Sequence, residues 1–254
     1  MIRSADAIIL PQSCSLPLYK ACNKSEAHVF PDYELRFRYP GKVGQSLLFE
    51  KLRIPHPATK RWPSVKKFRE CQKEESAPPH DTPFFLKADK SHEGDGVLFV
   101  TDRNGLKTAL ARLEKAGPEG FISQDLIPCE GNVLRAVVLH KRIITYWKRP
   151  GKPDGVIATV SHGARVDKKW KPELQEKGRA RAQWICEETG INLAAFDFVF
   201  DMENSGPQPF ILEINYYFGR RGLGGSPKYY RLLLKAIREW LKEKGFNEAT
   251  IKLV

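Results

Sequence analysis

The run Phe210-Ile211-Leu212-Glu213-Ile214-Asn215 is apolar except for one carboxylate and one amide, two residues apart. Alternate residues of a strand point to the same face. Glu213 and Asn215 are therefore expected to project together with Ile211, leaving Phe210, Leu212 and Ile214 turned toward a core. Upstream, Phe196-Asp197-Phe198-Val199-Phe200 reads as a second strand whose lone charge is Asp197. The intervening segment from Asp201 to Pro209 is rich in turn formers. A hairpin centred on Gly206 would set Asp197 opposite Asn215, and one centred on Ser205 would set it opposite Glu213. Either register gathers the oxygen donors of Asp197, Glu213 and Asn215 on one face of an apolar sheet. That is the donor chemistry of a magnesium site, and manganese would suit the same ligands.

Two further stretches carry charge where charge needs a reason. Lys87 interrupts the apolar strand Phe84-Phe85-Leu86-Lys87-Ala88, where an ammonium is costly unless something pairs with it. The loop that follows, Lys90 to Gly96, holds Gly94 and Gly96, whose backbone N–H groups could turn toward an anion; it reads equally as a plain hairpin turn. Arg220-Arg221-Gly222, directly after the Glu-x-Asn strand, offers a guanidinium fork suited to a carboxylate, or else a surface turn leading to the last helix.

The elements that must position these groups are legible from spacing. Asp6 to Leu10 reads as a short strand ended by Pro11, and Gln45 to Arg53 as a helix with Lys42 at its approach. Residues 60–81 read as a charged connector. Phe84–Ala88 and Val97–Val100 are strands, and Leu106, Ala109, Leu110 and Leu113 mark an amphipathic helix closed by Gly117-Pro118. Strands are expected over Gly120–Ile127, Val133–His140, Arg142–Lys148 and Val156–Val160. A helix follows over Pro172–Thr189, stopped by Gly190, and another over Pro227–Lys244, stopped by Gly245.

Composition sets the outer limits. A chain of 254 residues with 41% hydrophobic and 28% charged residues can bury a sizeable core. Five cysteines without a CxxC pair point to reduced thiols and a cytoplasmic setting, and no apolar run approaches a membrane span. The net charge of +12 is compatible with nucleic-acid binding, with a solvated surface or with a cleft that attracts small anions. Lysines and arginines are spread along the chain with no nucleic-acid-binding signature, which argues for the cleft and the surface.

The order of these features resembles the ATP-grasp ligases, the group that includes glutathione synthetase, D-alanine–D-alanine ligase and the ribosomal-protein glutamate ligases. Lys42 stands before a helix that ends in Ile54-Pro55-His56-Pro57. Lys87 and its glycine loop, the strand Phe121 to Pro128, then Asp197 and Glu213-x-Asn215 follow in turn. The resemblance spans residues 40–225 and implies an α+β fold in which two α+β subdomains clasp ATP. It divides the chain into an N-terminal segment (1–60), a lid subdomain (61–123) and a metal-bearing subdomain (124–254). It implies that Lys42 and Lys87 contact ATP phosphates under the loop of Gly94 and Gly96. Gln124, Asp125, Leu126 and Ile127 would form the adenine hinge and Glu130 would hold the ribose. Asp197, Glu213 and Asn215 would hold magnesium, and Arg149 would be aimed at the transferred phosphoryl group.

The implied activity is ligation. A small-molecule or peptide carboxylate becomes an acyl phosphate, and an amine or thiol then displaces the phosphate. A phosphotransferase and a non-catalytic ATP-binding regulator are the alternatives. The pattern also departs from the family. Of the Asp-x-Arg of the ribosomal-protein ligases only Arg135 remains, as a substrate-binding candidate beside Arg220, Arg221 and Gly222. Thr159 to Gly163 lacks the frequent asparagine, and Tyr216-Tyr217-Phe218-Gly219 replaces the usual Pro-Gly after the metal strand. The preceding domain is cut down to about 40 residues. With little to cover the acceptor side, Tyr216, Tyr217 and Phe218 are expected to be partly bare and to favour a homodimer.

Overall fold

The computed structural model describes residues 4–75, 79–91, 96–117, 119–151, 163–202 and 206–247. At the N-terminal end β1 (Ala7–Ile9) and β2 (His28–Phe30) pair in parallel, with α1 (Leu16–Asn23) between them. Two helices follow, α2 (Glu34–Arg38) and α3 (Gly41–Lys51).

The stretch expected to be a connector is structured. It contains β3 (Thr59–Trp62) and α4 (Val65–Glu75). Lys66, Lys67, Arg69 and Lys73 of α4 are exposed, while Val65 and Phe68, three residues apart, are buried with Trp62. β4 (Phe84–Ala88), β5 (Val97–Val100), α5 (Arg103–Ala116) and β6 (Phe121–Asp125) complete a four-stranded antiparallel sheet in the order β3-β6-β4-β5. α5 begins where the Asp102 carboxylate accepts from Asn104 N and Gly105 N, both at 2.8 Å, and ends at Gly117 in the left-handed region. Phe84, Leu86, Val100 and Phe121 pack beneath α4 and α5.

The second sheet has five antiparallel strands. They are β7 (Val133–Leu139), β8 (Arg142–Arg149), β9 (Arg165–Asp167), β10 (Leu193–Phe200) and β11 (Pro209–Asn215), in the order β11-β10-β7-β8-β9. Strand alternation divides its residues between two layers. Leu134, Ala136, Trp147, Phe196, Phe198 and Phe200 face α6 (Pro172–Thr189) and join the main core with Leu174, Ala182 and Ile185. Val137, Leu139, Tyr146, Leu193 and Ala195 face the other way, toward Tyr229, Ala236 and Trp240 of α7 (Ser226–Glu243). No helix among the described residues is long and apolar enough to cross a membrane. The expected strand Val156–Val160 lies outside the described residues.

The hairpin of β10 and β11 corrects one expectation. Asp197 pairs with Glu213, but Phe198 pairs with Ile211, so Leu212 is an extra, unpaired residue: a β-bulge. The bulge breaks the alternation. Ile211 therefore joins Ile214 in the main core instead of sharing a face with Glu213, while Phe210 and Leu212 lie on the opposite side with Val199.

Candidate active site

α7 covers only one end of its face of the large sheet. The remainder has an apolar floor of Val133, Val199, Phe210, Leu212, Cys129 and Ile127. Between floor and α7 lies a band of charge. Arg135 of β7 stands directly across from Asp197 of β10, and Lys148 of β8 stands across from Val133. The Arg135 fork donates Nε to Asp197 Oδ1 at 2.8 Å and Nη2 to Oδ2 at 2.7 Å. Lys148 Nζ donates to Oδ2 at 2.9 Å, and Asn215 Nδ2 donates to the same oxygen at 3.2 Å. Burial alone would raise the Asp197 pKa, but Arg135 and then Lys148 outweigh it and hold the carboxyl far below its usual range. The Lys148 ammonium is pulled below its ordinary pKa by burial, against the opposing pull of Asp197.

Across from this band stands the smaller sheet. Phe84, Leu86 and Ala88 of β4 face its own core, so Lys87 projects from the opposite side with Phe85. Lys87 Nζ donates to Gln124 Oε1 at 2.5 Å, and Gln124 Nε2 donates to Thr59 Oγ1 at 2.9 Å, which sets the amide's orientation. Burial lowers the Lys87 pKa to about 8, and the negative charge of Glu213 opposes that shift. Lys42, in the first turn of α3, donates Nζ to the Ser91 carbonyl at 2.7 Å and to Ser91 Oγ at 3.0 Å. It too is lowered by burial and raised by Glu213. The turn is held by Asp89, whose Oδ1 accepts from Val43 N at 3.0 Å. Glu213 thus exerts its field on Lys42, Lys87, Arg135 and Lys148 together. Gln45 of α3 bonds both backbone groups of Ile214, between Glu213 and Asn215.

The end of β6 is braced from beneath by residues that their spacing did not single out. His80 Nδ1 meets the Asp125 carboxylate, and its Nε2 lies 2.9 Å from Ser123 Oγ. That hydroxyl also accepts from Trp62 Nε1 at 2.8 Å. The backbone N–H of Asp125 is engaged as well, donating to the Ala58 carbonyl at 3.0 Å. Leu126 and Ile127 follow it toward the floor, and Glu130 stands exposed in a turn at φ 50°.

Three expectations are revised. Arg149 does not face the carboxylates: it follows Lys148 on the strand, so it points to the other side, stacks 4.3 Å over Trp170 and pairs with Asp167. Arg135 is not open to a substrate, because two of its nitrogens bind Asp197. Gly222 does not line a pocket, since its backbone is pressed against the Tyr146 ring. Arg220 and Arg221 do border an open pocket of about 600 Å³ between the end of β11 and the start of α7. Arg220 is stacked 4.7 Å over both Tyr229 and Tyr230. Tyr216 packs on Tyr33 and Phe218 on Tyr229, leaving only Tyr217 of that aromatic trio exposed. Gly94 lies outside the described residues, and Gly96 closes the loop through its carbonyl to Ala88 N at 2.8 Å.

Against the oxygen set the fit to magnesium divides. The Glu213 carboxylate accepts no hydrogen bond among the described residues, and Asn215 has turned its nitrogen to Asp197, leaving its oxygen for another partner. Both suit a hard cation. Asp197 does not, because its oxygens already take four donors, three of them from cations. Among the described residues no three His, Cys, Asp or Glu side chains gather as a metal site.

No family model matches the sequence, and no curated protein is similar to it in sequence. Solved structures are similar in fold. A RimK-domain ATP-grasp protein from Sphaerobacter thermophilus superposes at TM-score 0.62 with 16% identity, over 87% of this chain and 75% of that one. D-alanyl-alanine synthetase A from Vibrio cholerae gives 0.63 and 13% over 88% and 71%. The N5-carboxyaminoimidazole ribonucleotide synthetase from Staphylococcus aureus, solved with ADP, gives 0.63 and 11% over 84% of this chain. The chain spans about half of that synthetase, 55% of its length. Two antiparallel sheets that face each other across a cleft, one carrying Lys87 and the other Asp197 and Glu213, make up the ATP-grasp fold.

Proposed function

We propose that the protein is an ATP-dependent ligase that activates a carboxylate for attack by an amine or a thiol. The observation that carries this reading is the convergence of Lys42, Lys87, Arg135 and Lys148 on Glu213, which makes the cleft strongly cationic where an apolar floor ends. Adenine would lie on Val133, Val199 and Leu212, against the backbone of Asp125 to Ile127, with Glu130 at the ribose. The phosphates would then run toward Lys148, Lys87 and Lys42, under the loop of Gly94 and Gly96. A divalent cation held by Glu213 and Asn215 would supply further charge neutralisation when bound.

The chain's own part in the chemistry is positioning and charge. A substrate carboxylate oxygen attacks the γ-phosphorus, the bond from that phosphorus to the bridging oxygen breaks, and ADP leaves. Lys87 and Lys42 stabilise the negative charge that shifts onto ADP, and the closed cleft keeps water from the acyl phosphate. An amine nitrogen then attacks the acyl carbon and releases phosphate as it loses its proton. Arg220 and Arg221, which border the pocket beyond Asn215, would hold a carboxylate of the acceptor or donor. The free thiols fit work in the cytoplasm.

The test is ADP release from ATP and magnesium with pooled amino acids, peptides and small acids, and mass spectrometry of the product. Hydroxylamine in place of an amine should trap the acyl phosphate as a hydroxamate. A stable phosphorylated product with no hydroxamate would overturn ligation in favour of phosphotransfer.

A further inference from the structure

Asp197 sits where a metal ligand was expected, yet its surroundings are those of an anion between cations. A metal ion approaching it would meet the Arg135 guanidinium and the Lys148 ammonium, both within 3 Å of its oxygens. The charges do not balance locally either. One carboxylate faces two cations, and Lys148 is buried, with its side chain 7% exposed. Its ammonium has three hydrogens to donate. One reaches Asp197, and no acceptor for the others is found among the described residues. A buried cation with spare donors is costly unless an anion completes it. Lys148 stands beside Val133, at the edge of the apolar floor, and it feels the charge of Glu213.

We propose that Asp197 is a positioning residue that aims Lys148, with Arg135 behind it, at the nucleotide phosphates, and that it does not ligate the metal. Lys148 is then a phosphate-binding residue of this chain, in the role that its neighbour Arg149 cannot fill from the opposite face. The inference rests on the nucleotide-binding reading of the cleft.

The experiment combines calorimetry with a non-hydrolysable ATP analogue, manganese binding to the protein–analogue complex by electron paramagnetic resonance, and thermal melts of the free protein. Lys148→Met should weaken analogue binding at least tenfold and leave manganese affinity within threefold, while Lys148→Arg should recover most of the analogue binding. Glu213→Gln should lose at least tenfold in manganese affinity. Asp197→Asn leaves two buried cations unpaired and should melt well below wild type. Asp197→Asn with Lys148→Met restores the charge count, should melt above that variant and keeps the metal measurement possible where the single variant does not fold. The double variant should keep manganese affinity within threefold of Lys148→Met. A tenfold loss of manganese affinity in the double variant relative to Lys148→Met would make Asp197 a ligand and overturn the proposal. So would Asp197→Asn melting at or above wild type. Analogue binding by Lys148→Met within twofold of wild type would overturn the phosphate assignment alone. Wild-type protein that binds no analogue would overturn the ligase reading and the role of Lys148 together, and the melts would still decide whether Asp197 anchors the two cations.

Discussion

The side-chain amide of Gln45 grips both backbone groups of Ile214: Oε1 accepts from the Ile214 N–H at 2.8 Å, and Nε2 donates to the Ile214 carbonyl at 2.9 Å. The pair imitates one rung of a sheet ladder at the outer edge of β11, where the strand would otherwise present unpaired groups. It also clamps the residue between Glu213 and Asn215. Gln45→Ala should therefore cost about 1–3 kcal/mol, the range for a polar group left without its partner. Urea denaturation measures that loss, and nucleotide affinity should fall with it, because the strand end carrying both oxygen donors is no longer pinned.

Lys87 makes nucleotide binding depend on pH. Its folded-state pKa of about 8 lies below the ordinary 10.5, chiefly through burial. Above pH 8 the free protein loses this charge, and bound phosphate must restore it by taking up a proton. Affinity for an ATP analogue should be flat below pH 8 and fall by up to about tenfold per pH unit above it. Calorimetry in buffers of different ionisation enthalpy should register proton uptake on binding near pH 9. Between pH 8 and 10.5 the unfolded chain holds more protons at this site, so its contribution to stability rises with pH. Lys87→Met should abolish both effects.

Gly222→Ala tests the packing beside the cleft. A Cβ there would lie 2.1 Å from Cζ of the buried Tyr146 ring. Overpacking of this kind costs about 1–3 kcal/mol. Tyr146 stands directly across from Arg135 in the sheet, so the displaced ring should also disturb the clamp on Asp197. A melting temperature equal to wild type would show that the ring has room to move.

His80→Leu removes the brace under the hinge. It strips Ser123 and Asp125 of a shared partner inside the smaller sheet and should destabilise by about 1–3 kcal/mol. Analogue affinity should drop severalfold, because Asp125 begins the segment proposed to meet adenine. Calorimetry on the folded variant checks the second effect separately from the first.

How much of this was readable in the residues differs from place to place. The long strands and the helices ended by Gly117 and Gly190 follow from periodicity and turn chemistry, which also bring Asp197 to the Glu-x-Asn strand but leave open whether it stands across from Glu213 or Asn215. The bulge at Leu212 does not, because a strand with one extra residue has the same composition as a regular one, so Ile211 lies on the face opposite the one that alternation predicts. Lys148 and Arg149 are adjacent cations, and only the register that sets Lys148 across from Val133, on the face opposite Trp147, decides which of them enters the cleft. α4 was hidden by its charged outer face, which outnumbers the buried Val65 and Phe68. The His80 brace joins residues from three separate segments, and nothing local to any of them announces it.

That brace has a direction. An indole nitrogen can only donate, so one lone pair of Ser123 Oγ takes the Trp62 N–H, and the hydroxyl still has its own hydrogen to offer Nε2 of His80. The imidazole, accepting there, carries its hydrogen on Nδ1 and passes it to the Asp125 carboxylate. An ionised carboxylate can only accept, so Asp125 selects this tautomer, and the tautomer in turn sets the direction of a serine hydroxyl that the carboxylate does not touch. Replacing Asp125 by asparagine would put a group there that can donate or accept, so the ring could take either tautomer and the serine hydroxyl could point either way.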